Sequence, residues 1–120
     1  MLDPSQEGNL MSKYKNRKIV WEDITFDSKK ELTRYQSLLI REKTGEITGL
    51  QRQIKYLLIP KQKGKKRVER PLEYVADFVY LENGELVVED VKSDYTKKLP
   101  LYIAKRKMML YFHNIEILEI

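Results

Sequence analysis

The stretch that decides the fold is LEYVADFVYLENGELVVEDVK, residues 72–92. It contains two runs rich in Val, Leu, Phe and Tyr, and these runs are joined by Asn83-Gly84. Such a pair between two apolar runs predicts a β-hairpin, because Asn and Gly accept the positive φ angles that a two-residue turn requires. The turn also fixes the register of the hairpin, since it sets Glu82 opposite Glu85.

This register brings two aspartates together. Counting outward from the turn sets Asp77 opposite Asp90 as a non-hydrogen-bonded pair, whose Cα atoms lie about 4.5 Å apart. Lys92 lies two residues beyond Asp90 and is predicted to share its face, and Asp77 is predicted to lie on that same face beside Val75 and Val79. Two opposed carboxylates on an apolar face repel each other unless a cation lies between them.

Carboxylates in this arrangement are ligands that Mg²⁺ or Mn²⁺ prefers. The lysine beside them could activate a water molecule or stabilise the charge on a phosphate. The pattern therefore predicts a metal site at Asp77 and Asp90 with Lys92 beside it. The alternative is an Asp90–Lys92 ion pair at a sheet edge, and a β-bulge in the hairpin would change the register.

The segments on either side complete a mixed α/β order. Ser28 and Glu31 have the spacing of a capping box at a helix start, which on spacing alone is the simplest role for Glu31. Gly45 predicts the end of that helix. The other predicted elements are a short hairpin over 19–26, strands over 53–59, 72–81, 85–92 and 115–120, a helix over 99–112, and a loop or frayed hairpin arm over 61–70. We therefore expect one α/β domain over 13–120, with a mixed sheet flanked by two main helices, after a disordered leader over 1–12.

The composition excludes several classes of chemistry. The chain has 120 residues, no Cys and one His, which excludes disulfides, thiol nucleophiles, thiolate metal sites and multi-histidine zinc sites. The single His113 is predicted to cap the end of the second helix. No apolar run reaches the roughly 18–20 residues of a membrane span and no signal peptide is visible, so we expect an intracellular protein.

Basic residues point to an anionic partner. The net charge is +5, and Lys and Arg gather in three clusters, over 13–18, 61–70 and 97–107. Such clusters bind the phosphate backbone of nucleic acids, although each could also be a solvated surface segment. The residues expected to contact nucleic acid are Lys61, Lys63, Lys65, Lys66, Arg67, Lys97, Lys98 and Lys105.

The same residues resemble a known motif. Asp77, followed after a hairpin by Asp90-Val91-Lys92, resembles the PD-(D/E)xK motif of nucleases with the restriction-endonuclease-like fold, with Ala76 in place of the usual Pro. The segments that resemble a family of small phage and prophage nuclease-like proteins, similar to phage Holliday-junction resolvases, are FDSKKE (26–31) with Tyr35, LQRQ (50–53), YVADF (74–78) and VVEDVK (87–92). The resemblance covers about residues 13–120.

The resemblance implies a role for each matched residue. Asp77 and Asp90 would bind Mg²⁺ or Mn²⁺, and Glu31 would complete the metal site from the first helix. Lys92 would assist the nucleophile, and Gln53 matches a glutamine near the active site of related nucleases. All five residues are thus candidates for the catalytic site.

Several other side chains are expected to be structural. Glu89 is predicted to face the other side of its strand, outside the metal site, and Trp21 is predicted to lie in the core. The second helix is expected to pack on the sheet through Tyr102, Met109 and Phe112, although Tyr95, Tyr102 and Lys105 could also touch DNA.

As a whole, the resemblance implies a metal-dependent DNA endonuclease of phage or prophage origin, acting in the cytoplasm of a bacterial host on backbone shape or on branched DNA. A homodimer is expected, because two sites are needed to cut two strands. Two alternatives stay open: a nucleic-acid-binding accessory protein that keeps the fold without catalysis, and a protein–protein adaptor whose basic clusters are incidental. Nucleic-acid binding that is weak and little affected by salt would favour the adaptor.

Overall fold

The computed structural model describes residues 17–120, a mixed α/β structure with a four-stranded mixed sheet and two main helices, as predicted. The predicted leader over 1–12 lies outside the described residues, as do residues 13–16. The elements are β1 (Ile19–Trp21), β2 (Ile24–Phe26), α1 (Lys29–Lys43), β3 (Thr48–Ile59), β4 (Gln62–Lys63), β5 (Val68–Glu69), β6 (Leu72–Glu82), β7 (Glu85–Asp90), a 3-10 turn (Thr96–Lys98), α2 (Pro100–His113) and β8 (Leu118–Glu119). The chain forms two compact units, and the division between them falls after Leu38.

The first unit contains the predicted short hairpin. β1 and β2 pair through Glu22 and Asp23, which both have the positive φ of a two-residue turn. Trp21, predicted to lie in the core, is only half-buried and packs edge-on against Tyr35, with ring centroids 6.2 Å apart. Phe26 instead is the fully buried aromatic residue of this hairpin.

Helix α1 begins and ends close to where the sequence predicts. The Glu31 backbone N–H donates to Ser28 Oγ at 3.1 Å, so the serine half of the capping box is formed. The last helical residue is Lys43. Gly45 follows with a φ of 85°, in the left-handed region where glycine is favoured after a helix.

The sheet belongs to the second unit and has the strand order β3-β6-β7-β8. β3, β6 and β7 are antiparallel neighbours, and β8 runs parallel to β7. β3 starts at Thr48, earlier than predicted. The sequence does not show this earlier part of the strand, because Gly49 and a register shift between Thr48 and Gln51 interrupt the alternation of side chains there. In the predicted last strand over 115–120, Leu118 and Glu119 pair with β7, and the Ile120 backbone N–H donates to the Asp90 carbonyl oxygen at 3.0 Å.

Helix α2 packs against one face of this sheet. The buried core cluster consists of Leu58, Tyr74, Ala76, Val79, Val88, Tyr102, Met109 and Ile117. The predicted packing of α2 through Tyr102 and Met109 is therefore confirmed. None of the helices between residues 17 and 120 is long and apolar enough to cross a membrane.

The last turn of α2 differs from the prediction in two ways. Phe112 is 52% exposed, and its ring packs edge-on against Tyr111 instead of on the sheet. His113 does not take the cap position, because Asn114 follows it in the left-handed conformation and closes the helix. His113 Nε2 lies 2.6 Å from the Leu57 carbonyl oxygen, so this side chain ties α2 to β3.

The turn at Asn83-Gly84 has φ angles of 54° and 78°, which confirms the predicted two-residue hairpin. Replacing Gly84 with Ala is expected to lower the free energy of unfolding by about 1 kcal/mol, because an L residue is strained at this φ. An added Cβ would meet no atom within 4 Å, so the loss is conformational and not steric. Urea denaturation measures the loss, and Asn83→Gly serves as the control that keeps the turn unstrained. Equal stability of Gly84→Ala and wild type would contradict this interpretation of the turn.

Candidate active site

The β6–β7 hairpin has the predicted register. Its pairs run from Glu82↔Glu85 to Phe78↔Glu89, so one further step sets Asp77 against Asp90. Asp77 Oδ2 accepts a hydrogen bond from the Val91 backbone N–H at 2.8 Å, which joins Asp77 to the chain just beyond β7. The two aspartates therefore meet where the hairpin opens.

The alternation of β6 is interrupted at Asp77. Ala76 and Val79 belong to the same core cluster, although residues three apart face opposite sides of a regular strand. Val75, predicted to share the face of Asp77 and Val79, is 40% exposed, so that part of the predicted face is wrong. The paired residue on β3, Gln53, has a φ of 53°, and the β3–β6 register is the same on both sides of it. β3 and β6 thus both deviate from regular strand geometry where Gln53 lies opposite Asp77.

This interruption sets Tyr74 beside Asp90. Asp90 is only 4% exposed, and its Oδ2 accepts a hydrogen bond from the Tyr74 hydroxyl at 2.7 Å. The Lys92 ammonium lies 3.4 Å from the same oxygen. A phenol and an ammonium therefore hold one carboxylate oxygen of Asp90.

The Tyr74 hydroxyl and the Lys92 ammonium do not fully offset the cost of two carboxylate charges at Asp77 and Asp90. Burial, together with a hydrogen bond to Asp77 and the charge of Asp77, raises the pKa of Asp90 to about 7. Lys92 and the Tyr74 hydroxyl act on this pKa in the opposite direction. In the absence of a metal, Asp90 is therefore partly protonated near neutral pH, and a cation between the carboxylates would displace that proton.

Helix α2 and β8 hold Lys92 from its other side. The Lys92 Nζ lies 4.2 Å from the centroid of the Tyr102 ring, a cation–π distance. The Tyr102 hydroxyl donates to Glu119, and the Arg106 guanidinium lies 3.5 Å from the same carboxylate. Burial and the hydrogen bond to Glu119 raise the pKa of Tyr102, so its ring stays neutral beneath the ammonium.

Gln53 also belongs to this group of side chains. Its Nε2 donates to Asp77 Oδ1 at 3.3 Å, so each oxygen of Asp77 has a hydrogen-bond donor. The structure thus brings together four of the predicted residues, Asp77, Asp90, Lys92 and Gln53. Tyr74 and Glu119 were not predicted as site residues, because only the interrupted strand and the parallel pairing of β8 make them neighbours of the site.

The remaining predicted carboxylate, Glu31, lies in the first unit. It is 3% exposed in the first turn of α1, where its backbone N–H is hydrogen-bonded to Ser28. Its role as a metal ligand stays a prediction. Glu89 is fully buried and accepts a hydrogen bond from the Tyr80 hydroxyl, on the side of β7 opposite to Asp90.

The donors at this site suit a hard divalent cation. Among residues 17–120, no three His, Asp or Glu side chains form a ready-made metal group. Mg²⁺, however, is commonly bound through one or two carboxylates, together with water and substrate phosphates. Two adjacent carboxylates with excess negative charge fit that mode of binding.

The residues predicted to contact nucleic acid lie on three elements of the second unit. Lys61 lies just before β4, Lys63 lies in it, and Lys65, Lys66 and Arg67 lie between β4 and β5; all five are exposed. Lys97 and Lys98 are exposed in the 3-10 turn that follows the site, and Lys97 pairs with Asp94 at 3.4 Å. Lys105 is half-buried on α2. Their contact with nucleic acid stays a prediction.

Replacing Tyr74 with Phe is expected to raise the pKa of Asp90 above its value in the wild type, because the Tyr74 hydroxyl stabilises the ionised carboxylate. Carbon-13 NMR of the aspartate carboxyls in the metal-free protein measures the titration midpoint. Tyr111→Phe, at an exposed tyrosine, is the matched control and should leave the midpoint unchanged. A midpoint that stays constant or falls in Tyr74→Phe would show that this hydrogen bond does not act on Asp90.

Comparison with known proteins gives a family but no activity. Residues 11–118 match the family model described as "Protein of unknown function (DUF1064)". No curated protein matches the chain, and no solved structure matches it.

Proposed function

Since the chain belongs to the DUF1064 family, whose description states no activity, we propose its function from the site itself: a divalent-metal-dependent endonuclease that hydrolyses phosphodiester bonds in DNA. The observation that carries this proposal is the pair formed by the buried Asp90 and the half-buried Asp77, with Lys92 at 3.4 Å from Asp90. Carboxylate oxygens can hold a metal that polarises a phosphate and lowers the pKa of a bound water, and an amine beside them can stabilise the charge on the phosphate.

Asp77 and Asp90 would hold Mg²⁺ or Mn²⁺. When bound, the metal polarises the scissile phosphate and lowers the pKa of water. The protein's own residues keep these ligands oriented. Gln53 and the Val91 N–H hold Asp77, and the Tyr74 hydroxyl holds Asp90.

Lys92 would act on the reacting phosphate. Its ammonium is held between the Asp90 carboxylate and the Tyr102 ring, so it is oriented before any substrate binds. An oriented cation stabilises the negative charge that develops on the phosphate oxygens during attack. Its N–H groups can also orient the attacking water.

The positive charge of the protein supports a nucleic acid as the substrate class. A net charge of +5 with exposed Lys and Arg clusters supports a nucleic-acid backbone as partner. We propose DNA, and branched DNA such as a Holliday junction in phage DNA metabolism, in the cytoplasm of a bacterial host. A homodimer would supply the two sites that two strands need.

The test is cleavage of labelled duplex, flap and four-way junction DNA with Mg²⁺ or Mn²⁺. We expect wild-type protein to cut at least one substrate, and chelator, Asp77→Asn and Asp90→Asn each to abolish cutting. Glu89→Gln is the matched control, because it neutralises a buried carboxylate adjacent in sequence but on the opposite side of β7. Glu89→Gln should retain activity within a few fold.

Other outcomes would replace the proposal. If no substrate is cut while binding remains salt-sensitive, the accessory-protein alternative is favoured. Cleavage that survives in Asp90→Asn indicates a contaminant or a different site. If Glu89→Gln alone abolishes cutting, the metal ligands lie on the other side of β7.

A further inference from the structure

A basic arm extends the β3–β6 hairpin away from the candidate site. We define it as residues 60–71, which include β4 and β5. The pairing register of Ile59↔Leu72 continues unchanged through Gln62↔Glu69 in the arm, which sets Pro60 opposite Pro71. Neither proline has an N–H to donate, so the ladder is interrupted there and the arm begins.

The arm contributes little to the protein core. Every residue from 60 to 71 is exposed, and the one large apolar side chain, Val68, is 50% exposed. A two-stranded hairpin without a buried face is only marginally stable by itself. Its tip is closed by one backbone hydrogen bond, from the Gly64 N–H to the Arg67 carbonyl at 2.8 Å. Packing therefore does not explain this segment.

Charge is the main property of the arm. It carries one acidic residue, Glu69, and the basic residues Lys61, Lys63, Lys65, Lys66, Arg67 and Arg70. By strand alternation and pairing, Lys61, Lys63 and Arg70 share one face. The arm thus presents cations along its length and around its tip, as a phosphate backbone requires.

The number of residues between the candidate site and the tip of the arm sets the distance along the chain between them. Ten residues separate Gln53, which contacts Asp77, from Lys63 near the tip. At about 3.3 Å per residue, the cations at the tip lie roughly 30 Å along the chain from the two aspartates. In a duplex, roughly 30 Å corresponds to about nine base pairs, close to one helical turn. Phosphates one turn apart lie on the same side of the duplex, so a protein that lies along that side can contact both of them.

We propose that the basic arm binds the backbone of a DNA duplex about one helical turn from the phosphate held at Asp77 and Asp90. This inference rests on the proposed nuclease function for the position of the scissile phosphate. It adds that the substrate must be double-stranded for about nine or ten base pairs on one side of the cut. The arm then selects against single strands and against cuts close to a duplex end.

The test uses the salt dependence of binding, which reports the number of phosphates contacted. The arm variant is Lys63→Gln/Lys65→Gln/Lys66→Gln. The control variant, Lys29→Gln/Lys30→Gln/Lys43→Gln, removes the same charge from exposed positions outside the arm and outside the other basic clusters. Both are made in a Lys92→Met background with Mg²⁺, so that the aspartates are retained while cleavage is slowed, and thermal melts confirm that each variant is folded.

On a 24-base-pair duplex, the arm variant should bind about ten- to a hundredfold more weakly at 150 mM salt, and its log–log salt slope should fall by about 2–3, at 0.9 per phosphate contact. On an 8-base-pair duplex, which cannot reach both the site and the arm, its slope should change less. The control variant should keep the parental slope on both duplexes. With Lys92 present, the protein should cut no closer than about nine base pairs to one duplex end, and the arm variant should lose this limit.

Each contrary result is specific. An arm variant with the parental slope on the long duplex, or a control variant with the same loss, overturns the role of the arm. Equal slopes on duplex and single-stranded DNA of the same length overturn the duplex requirement. If no DNA is cut but the slopes behave as expected, the arm inference stands and the nuclease proposal falls.

Discussion

Asp90→Asn is expected to abolish metal-dependent cleavage while making the metal-free protein more stable than the wild type at pH 8. The two effects have one cause. Asp90 is buried beside Asp77, so its ionised form is costly unless a cation neutralises it. Asparagine keeps the size of the side chain, removes the negative charge and is a much weaker metal ligand than a carboxylate.

The sign of the pH dependence follows from the raised pKa. The Asp90 pKa of about 7 in the folded protein lies above the ordinary value of 3.8, so the folded state binds the extra proton between these two pH values. The free energy of unfolding of the wild type therefore falls as the pH rises from about 4 to 7, and the full penalty remains above pH 7. The Asp90→Asn variant has no such penalty at any pH, because its amide does not ionise.

Chemical denaturation in chelator at pH 4 and pH 8 measures this difference. We expect Asp90→Asn and wild type to be similar at pH 4, and the variant to be more stable by on the order of 2–4 kcal/mol at pH 8. Mg²⁺ should then stabilise the wild type at pH 8 and leave Asp90→Asn almost unchanged. Equal stability at pH 8, or a less stable variant, would mean that the folded protein does not disfavour the ionised form of Asp90.

Local sequence signals predict the hairpin and thereby half of the site. Asn83-Gly84 encodes its own turn geometry, and the register follows from that turn alone. This is why Asp77 and Asp90 could be paired from the sequence, with Lys92 beside them. The helix start at Ser28 and its stop at Gly45 are also readable, because a cap and a left-handed glycine are single-residue signals.

The interruption at Gln53 and Asp77 could not be predicted in this way. Neither residue is the glycine or proline that usually marks a break in a strand. Gln53 adopts its left-handed conformation within the pairing of two whole strands, which no local window of sequence describes. The approach of Tyr74 to Asp90 depends on that interruption and was missed with it.

The contacts around Lys92 could not be predicted for a different reason, because they come from residues that are distant in the sequence. Tyr102 comes from α2, which packs on the sheet, and Glu119 comes from β8, which pairs in parallel with β7. The sequence predicts that Tyr102 is buried, since its helical spacing is apolar. It does not predict that the face of its ring would meet a lysine ammonium.

Lys92→Met is expected to reduce cleavage by about 10²- to 10⁴-fold without loss of DNA binding, because it removes an oriented cation from the reacting phosphate. Methionine retains an unbranched apolar stem against Tyr102, so most of the packing is kept. The charge of Asp90 loses its partner, and the free energy of unfolding of the metal-free protein should fall by roughly 2–4 kcal/mol at pH 8. The loss should be smaller at pH 5, where Asp90 is protonated.

Lys92→Arg separates the two roles of this side chain. A guanidinium restores the positive charge beside Asp90 and can stack on the Tyr102 ring, so the stability lost in Lys92→Met should return. Cleavage should stay low, because the planar guanidinium directs its N–H groups differently from an ammonium and does not release a proton. Denaturation at pH 8 and single-turnover cleavage with the same proteins measure the two effects. Full recovery of cleavage in Lys92→Arg would mean that Lys92 supplies positive charge alone, and that neither its geometry nor its proton matters to the reaction.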